Sequence, residues 1–542
     1  MSCVSDARLW PRWSAPIRAE CPSSSNNVAR VLRNEWLVTS GTPRALRALR
    51  HRALKLFGSG YPLRMHAQAS TVAAKRLVLV LSFAVIGVTV VQTMMFPLLP
   101  MLPTLLKTSA SDASWAITAT LLTAAVATPV FGRLGDLYGP KLMLLVCATL
   151  LILGSVVAAL AGSLIPLVLG RGLQGCAVAI LPLGISVLRV AVPLRWVGLA
   201  IGVFSASVGI GGALNLPLSA VIVENFDWHA LFWFCAGLGV LVLLGVAMFV
   251  PRVPPSASDK FDPLGAVLLS AGLVALLLPV SKGDSWGWTS GIALGLFGAS
   301  TLIFAVFTWW QLRTSSPLVD LRMTMRRPVL VTNLATIAIA FAIVAMLVTL
   351  PHLLELPRQT GYGLGQSMLH AALVMAANGV TIMAAGPIAA IIAAKTSPKA
   401  ALCVGAVIMT VSYLLGVWLL DTVLQVVLCT TIAGIGVGLA FASTAMLITA
   451  AVPVSETAAA NGINQVARMC GQAAGSAVAG AVLATMTMSF GRDEVPSLAG
   501  IRTAMLLAAA ASGLAALSMT LIPRMPRSAE SSKSAQGSLL PP

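Results

Sequence analysis

The sequence predicts an all-α polytopic membrane protein: two six-helix bundles with two extra helices inserted between them, fourteen transmembrane helices in all. Three observations carry that expectation. The 542-residue chain is 58% hydrophobic and only 10% charged, with a mean hydropathy of +0.91. Soluble globular domains carry about 25% charged residues, so an ordinary water-soluble domain is excluded. Long, nearly charge-free runs rich in Gly, Ala and Leu recur with short polar breaks, and each is too long for a strand. The charges left in those breaks alternate in number from one break to the next.

Taken in order, the runs place spans near 77–100, 113–131, 142–161, 165–188, 197–222, 229–250, 263–281, 288–311, 328–350, 364–393, 400–420, 422–450, 460–489 and 503–523. The breaks 251–262 and 312–327 are the longest polar ones on their side and divide the spans six, two and six. The expected organisation is therefore a basic tail over 1–76, a first bundle over 77–251 and an inserted pair with its linkers over 252–327. A second bundle over 328–523 and a tail over 524–542 complete it.

Loop charge sets the expected orientation. With the N-terminus inside, the short loops on that side and the C-terminal tail carry fifteen Lys and Arg, among them Arg133, Lys141, Arg189, Arg195, Arg326 and Lys395. The opposite side carries five: Lys107, Lys282, Arg358, Arg492 and Arg502. Basic residues collect on the cytoplasmic side of short loops, so a multi-pass protein of the cytoplasmic membrane with both termini cytoplasmic is expected. Only Arg171 and Arg468 fall inside spans.

The net charge is +18, and residues 1–76 hold thirteen basic against three acidic side chains. This segment mixes Arg, Trp, Ser and Pro without periodicity. It reads as a basic tail held at anionic headgroups, or as chain upstream of the true start, with Met65 a candidate start. The second reading is preferred, because basic disordered tails arise cheaply. Trp10, Trp13 and Trp36 do not interleave with a packed basic face, so nucleic acid is not an expected partner. Six of the eight cysteines lie in apolar runs without CxxC or Cys/His spacing, which reads as small buried hydrophobes rather than disulfides or a metal site.

The break after the second span reads Gly132-Arg133-Leu134-Gly135-Asp136-Leu137-Tyr138-Gly139-Pro140-Lys141. Its glycines permit a tight turn and close helix approach, and Asp136 is expected near the start of the next helix, where N–H groups favour an anion. The pattern resembles the major facilitator superfamily signature G-x-L-a-D-r-x-G-r-k, with Leu137 and Pro140 in place of basic residues. The resemblance implies a conformational latch formed by Gly132, Gly135, Asp136, Gly139 and Lys141. Arg171-Gly172-Leu173-Gln174-Gly175 is similar to the R-x-x-Q-G element of the family's fourth span, which makes Arg171 the coupling residue beside Gln174 and Gly175. An arginine inside a span costs at least about 2.5 kcal/mol and is expected to face protein or a water-filled cavity.

The fifth span, from Gly209 to Ala220, resembles the antiporter motif g-x-x-x-G-P-x-x-G-G found chiefly in exporters. Gly212, Asn215 and Pro217 mark that helix, with Gly212 and Pro217 as the expected hinge; Leu216, Ala220 and Val221 stand where the motif has glycine. Asp227-Trp228-His229-Ala230-Leu231-Phe232 and Pro317-Leu318-Val319-Asp320-Leu321-Arg322 resemble the fourteen-span drug:proton antiporter branch (EmrB/QacA type). So does Asn461-Gly462-Ile463-Asn464-Gln465-Val466-Ala467-Arg468, in which Asn461, Asn464 and Arg468 share one helix face. The resemblance covers roughly residues 77–523.

One family feature is missing. Where the first span usually carries an acidic residue, this chain has Gln92, and no Asp or Glu lies near the middle of any span. The candidate cavity residues Gln92, Asn333, His370, Asn378, Asn461, Asn464 and Arg468 are neutral or positive, so neutral or anionic amphipathic substrates are expected over cations. His370 stands beside Asp136 and the mouth carboxylates as a candidate proton-coupling group. The expected function is proton-coupled efflux of small amphipathic or drug-like molecules. The alternatives are a facilitator or uptake symporter of the same fold, or a non-transporting sensor or scaffold. A small-molecule substrate, protons and the lipid bilayer are the expected partners; no cofactor, metal or enzymatic activity is expected, and the chain is expected to act as a monomer.

Overall fold

The computed structural model describes residues 71–522 apart from 96–97, 99–100, 256–259 and 491–492. The expectations for residues 1–70 and for the tail 524–542 lie outside the described residues. Among the described residues, fourteen helices are long and apolar enough to cross a membrane. In chain order they are α1 (Thr71–Thr93), α2 (Trp115–Tyr138), α3 (Pro140–Ala159) and α4 (Leu164–Ala191, with a tighter turn at Cys176–Ala179). Then come α5 (Leu194–Asn225), α6 (His229–Phe249), α7 (Pro263–Trp286), α8 (Gly291–Arg313) and α9 (Arg327–Glu355). The last five are α10 (Met368–Lys395), α11 (Pro398–Trp418), α12 (Val423–Ala451), α13 (Thr457–Thr485) and α14 (Leu498–Ser518).

Local chemistry explains why the breaks are short. Pro140, Pro263, Pro328 and Pro398 open helices in the first turn, where a missing N–H costs nothing. Ser290, Ser367, Ser397 and Ser497 cap N-termini, and Thr422 forms a reciprocal capping box with Gln425. Gly139 and Gly287 end α2 and α7 at φ of 97° and 83°, where a side chain would be strained.

The two halves repeat one packing scheme. In the first, α1 packs on α5, α3 on both α4 and α6, and α2 on α4. In the second, α9 packs on α13, α11 on both α12 and α14, and α10 on α12. The halves meet through α2 on α13 and through α5 on α10, contacts that the same relation exchanges. The inserted pair α7–α8 is held mainly by α7, which touches α2 and α13. Only 17% of the α8 window is buried, against 61% for α1, and Ile292, Leu302 and Trp309 stand exposed on it. A helix apolar on its outer face belongs against lipid.

Several boundaries differ from those the hydropathy suggests. The first helix ends at Thr93, not near 100. The signature is not a loop: α2 continues through Tyr138 and α3 starts at Pro140, so Asp136 sits in the last turn of α2 and not at the start of the next helix. Basic residues placed in breaks also fall in helices. Lys282 is buried within α7, its ammonium 4.7 Å from the Trp115 ring centroid and donating to Ser114 Oγ at 2.5 Å. A short hairpin, β1 (Thr487–Phe490) against β2 (Asp493–Pro496), joins α13 to α14, with Met488 opposite Val495. Runs of four residues are too short for hydropathy to reveal.

Candidate functional site at the interface of the halves

Two polar contacts tie the halves together at the end of the bundle that carries Asp136. The Asp136 carboxylate is fully buried and accepts from the backbone N–H of Ala458 at 3.3 Å and of Ala459 at 2.9 Å. These are free donors of the first turn of α13, so a helix N-terminus in one half is capped by a carboxylate from the other. Arg189, in the last turn of α4, does the converse. Its guanidinium donates to Val452 O at 2.9 Å, Pro453 O at 3.1 Å and Thr457 Oγ1 at 2.6 Å, just past the C-terminus of α12. An anion at one helix start and a cation at the preceding helix end both match the dipole. The sequence places Arg189 among the loop charges, whereas it lies in the last turn of α4.

Close backbone approach accompanies these contacts. A methyl group on Gly132 would meet Ala458 O at 2.8 Å, and one on Gly202 would meet Gly386 O at 2.8 Å. Gly209 abuts Gly379 in the same way, at 2.6 Å. The other signature residues act within the first half. Gly135 packs against Leu183, and Lys141 Nζ donates to Ala247 O at 2.9 Å rather than reaching across the halves. In α5 the register differs from the motif. Gly212 is exposed with nothing within 4 Å of its would-be Cβ, whereas Gly211 packs on Thr89 of α1. The helix runs unbroken past Pro217, while buried Asn215 and its oxygens hold Ser219 Oγ at 2.7 and 3.2 Å.

Arg171 is buried in the first half and fully engaged. Its nitrogens donate to Val91 O at 2.9 Å, Gln92 O at 3.2 Å, Ala116 O at 3.2 Å and Gln174 Oε1 at 2.7 Å. Val91 and Gln92 lie in the last turn of α1, where carbonyls lack intrahelical partners. Gln174 passes the network to Ser155 Oγ at 2.8 Å, and Gly175 lets α4 press on Thr120 and Thr123 of α2. Gln92 takes part through its backbone carbonyl.

Between the halves, a cavity among α4, α5, α12 and α13 is lined by Phe204, Ser205, Asn461, Asn464, Gln465 and Arg468, among others. Asn461 donates to Thr449 Oγ1 at 3.3 Å and to Thr457 O at 2.9 Å. Asn464 donates to Asn333 Oδ1 and Thr336 Oγ1, both at 2.9 Å, which brings Asn333 to the edge of the cavity. Arg468 lies with its guanidinium carbon 3.9 Å from the Phe441 ring centroid, and its buried Nε has no hydrogen-bond partner. Two candidates sit elsewhere. His370 is exposed in the first turn of α10, its Nδ1 2.7 Å from Ser367 Oγ, so the polar N-cap rather than the cavity receives it. Asn378 packs α10 against Gly434 of α12.

Fourteen membrane-length helices, built as two related halves around an interfacial cavity, define a membrane transporter. The chain belongs to the Major Facilitator Superfamily, whose pattern matches residues 81–356 and 330–541. It is 28% identical over 385 residues to the tetracenomycin C resistance and export protein of Streptomyces glaucescens, covering 70% of each chain. It is also 28% identical over 380 residues to the multidrug resistance protein Stp of Mycobacterium tuberculosis (68% of each chain). The probable actinorhodin transporter of Streptomyces coelicolor is 28% identical over 386 residues, 69% of this chain and 66% of that one. With these relatives and fourteen spans, the chain falls in the fourteen-span branch that its motifs resemble, and it is a transporter, not an enzyme.

Solved structures show the same fold. The human organic anion transporter MFSD10 (TETRAN) superposes with a TM-score of 0.59 at 16% identity, covering 82% of this chain and 99% of that one. The proton:xylose symporter XylE superposes at 0.58 and 14% identity, covering 82% and 95%.

Proposed function

We propose that this chain is a proton-coupled exporter of small amphipathic or drug-like molecules in the cytoplasmic membrane, with the Asp136 end and both termini facing the cytoplasm. Three relatives named for resistance, export or transport support the direction, and the basic bias of the loops at the Asp136 end supports the orientation. The observation that carries the reading is the Asp136 carboxylate, buried at the seam and held by two N–H groups of the opposite half. That contact exists only while the halves are closed at this end. Opening it exposes the carboxylate to water and frees the α13 N-terminus, so the charge of Asp136 and the position of the halves are linked.

In this reading Arg189 reinforces the closed seam from the α4 side, Gly202 and Gly209 let α5 rock against α10, and Arg171 holds α1, α2 and α4 as one body. The substrate enters between the halves and is released when the opposite end parts.

The test is substrate-induced proton movement in inverted vesicles carrying an internal pH-sensitive dye, with the unaltered chain and Asp136→Asn compared. The expected result is proton efflux coupled to substrate entry, reduced about tenfold in Asp136→Asn, in line with a lost charge–dipole contact of about 1 to 2 kcal/mol. Substrate crossing with no proton movement in the unaltered chain would establish the facilitator instead. The specific support for that second reading is the absence of any mid-span Asp or Glu.

A further inference from the structure

We infer that the interfacial cavity takes an anionic aromatic substrate, a carboxylate or sulfonate, whose acid group docks on Arg468. The inference rests on the transporter reading above and names the substrate class of its cavity.

The argument starts from the cost of the arginine. A guanidinium within a span is expensive unless its donors and its charge are met. Arg468 is 93% buried by its 7% exposure, yet it makes no hydrogen bond or ion pair among the described residues. Its one close partner is the face of Phe441, which answers charge but takes up no N–H donor. Arg468 lines a cavity that no carboxylate lines.

The neighbours do not compete for a ligand's acid group. The amides of Asn461 and Asn464 are already donating within the second half. Gln465 supplies a second polar side chain on the same wall, and buried Phe204 of the other half contributes an apolar aromatic ring. A flat apolar body with one acid group fits this lining: the acid pairs with Arg468 through its planar fork, and the ring system lies against Phe204 and the aliphatic walls. An organic cation meets the guanidinium as a like charge in low dielectric and finds no counter-ion.

The experiment uses the purified full chain in phosphatidylcholine vesicles, with fluorescein as the anionic probe and ethidium as the cationic one. Binding is read by fluorescence anisotropy, and proton movement by an internal dye. The unaltered chain is expected to bind fluorescein at least tenfold more tightly than ethidium. Arg468→Gln is expected to lose ten- to a hundred-fold in fluorescein affinity with ethidium unchanged or improved, and Arg468→Lys to recover part of it.

Equal or tighter binding of ethidium by the unaltered chain overturns the inference whether or not any variant folds. So does full fluorescein affinity in a folded Arg468→Gln. Repeating the assay with one-third phosphatidylglycerol separates the source of the anion: loss of fluorescein binding there gives the site to a lipid headgroup and overturns the substrate assignment. Proton movement driven by ethidium alone sinks the inference and leaves proton-coupled export intact. Fluorescein binding at Arg468 without proton movement sinks the coupling and leaves the inference intact.

Discussion

Arg171 and Arg468 are both buried arginines inside spans, one in each half, and the structure treats them oppositely. Arg171 has four oxygen acceptors, three of them backbone carbonyls at the ends of α1 and α2. Arg468 has one aromatic face and an unpartnered Nε beside a cavity. The first is a staple: it satisfies carbonyls that the lipid cannot, and it costs little because its own donors are met. The second is kept at a cost in stability that the fold does not recover. Intramembrane charge alone does not mark a binding residue; the state of its donors does.

The sharpest test of that contrast is stability. Arg171→Met strands the carbonyls of Val91 and Gln92 and the Oε1 of Gln174, whereas Ala116 O keeps Thr120 Oγ1. It is expected to destabilise the protein by about 3 kcal/mol, at about 1–3 kcal/mol per stranded buried acceptor. Arg468→Met strands nothing and removes an uncompensated charge, so its unfolding temperature is expected to match or exceed that of the unaltered chain. Thermal unfolding in detergent of the two variants side by side checks both. Similar losses in the two would remove the distinction.

A smaller contrast of the same kind lies along α5. Gly209→Val drives a side chain into Gly379 and Ile382 of the other half, at about 1–3 kcal/mol for overpacking. It is expected to hold the seam apart and abolish transport. Gly212→Ala points into open space and is expected to retain transport and gain up to about 1 kcal/mol of helix stability. Transport rates and melting temperatures of the pair decide it. The reverse pattern would restore Gly212 as the hinge.

Much of the fold was legible because hydropathy reads spans directly: the break lengths and the six-two-six division follow from uncharged runs and their proline and glycine punctuation. Helix ends were less legible. Asp136, Lys282 and Arg189 were assigned to breaks because they are charged, whereas each belongs to a helix whose terminal turn finds a partner elsewhere in the chain. In the site, the sequence singled out Arg171, Arg468 and the asparagines near it, since polar residues in an apolar run are conspicuous. It could not say that Arg171 meets backbone carbonyls distant in sequence while Arg468 meets only an aromatic face, because those partners are brought together by the fold. Gly212 and Gly209 show the same limit. They are three residues apart and within about 60° of each other around the helix, yet one meets Gly379 and the other open space, a difference set by the neighbouring helices and not by spacing.

The central claim is that the halves close at the Asp136 end through a charge held on the opposite half's helix dipole, and part there in turn. The most direct measurement is the distance between spin labels at positions 195 and 395 in a cysteine-free background. Both positions are exposed beyond the Gly202–Gly386 contact at that end. The unaltered chain is expected to show a dominant short distance, and Asp136→Asn a five- to thirty-fold shift toward a longer one, matching about 1 to 2 kcal/mol. Distance distributions that coincide in the two proteins would contradict the account.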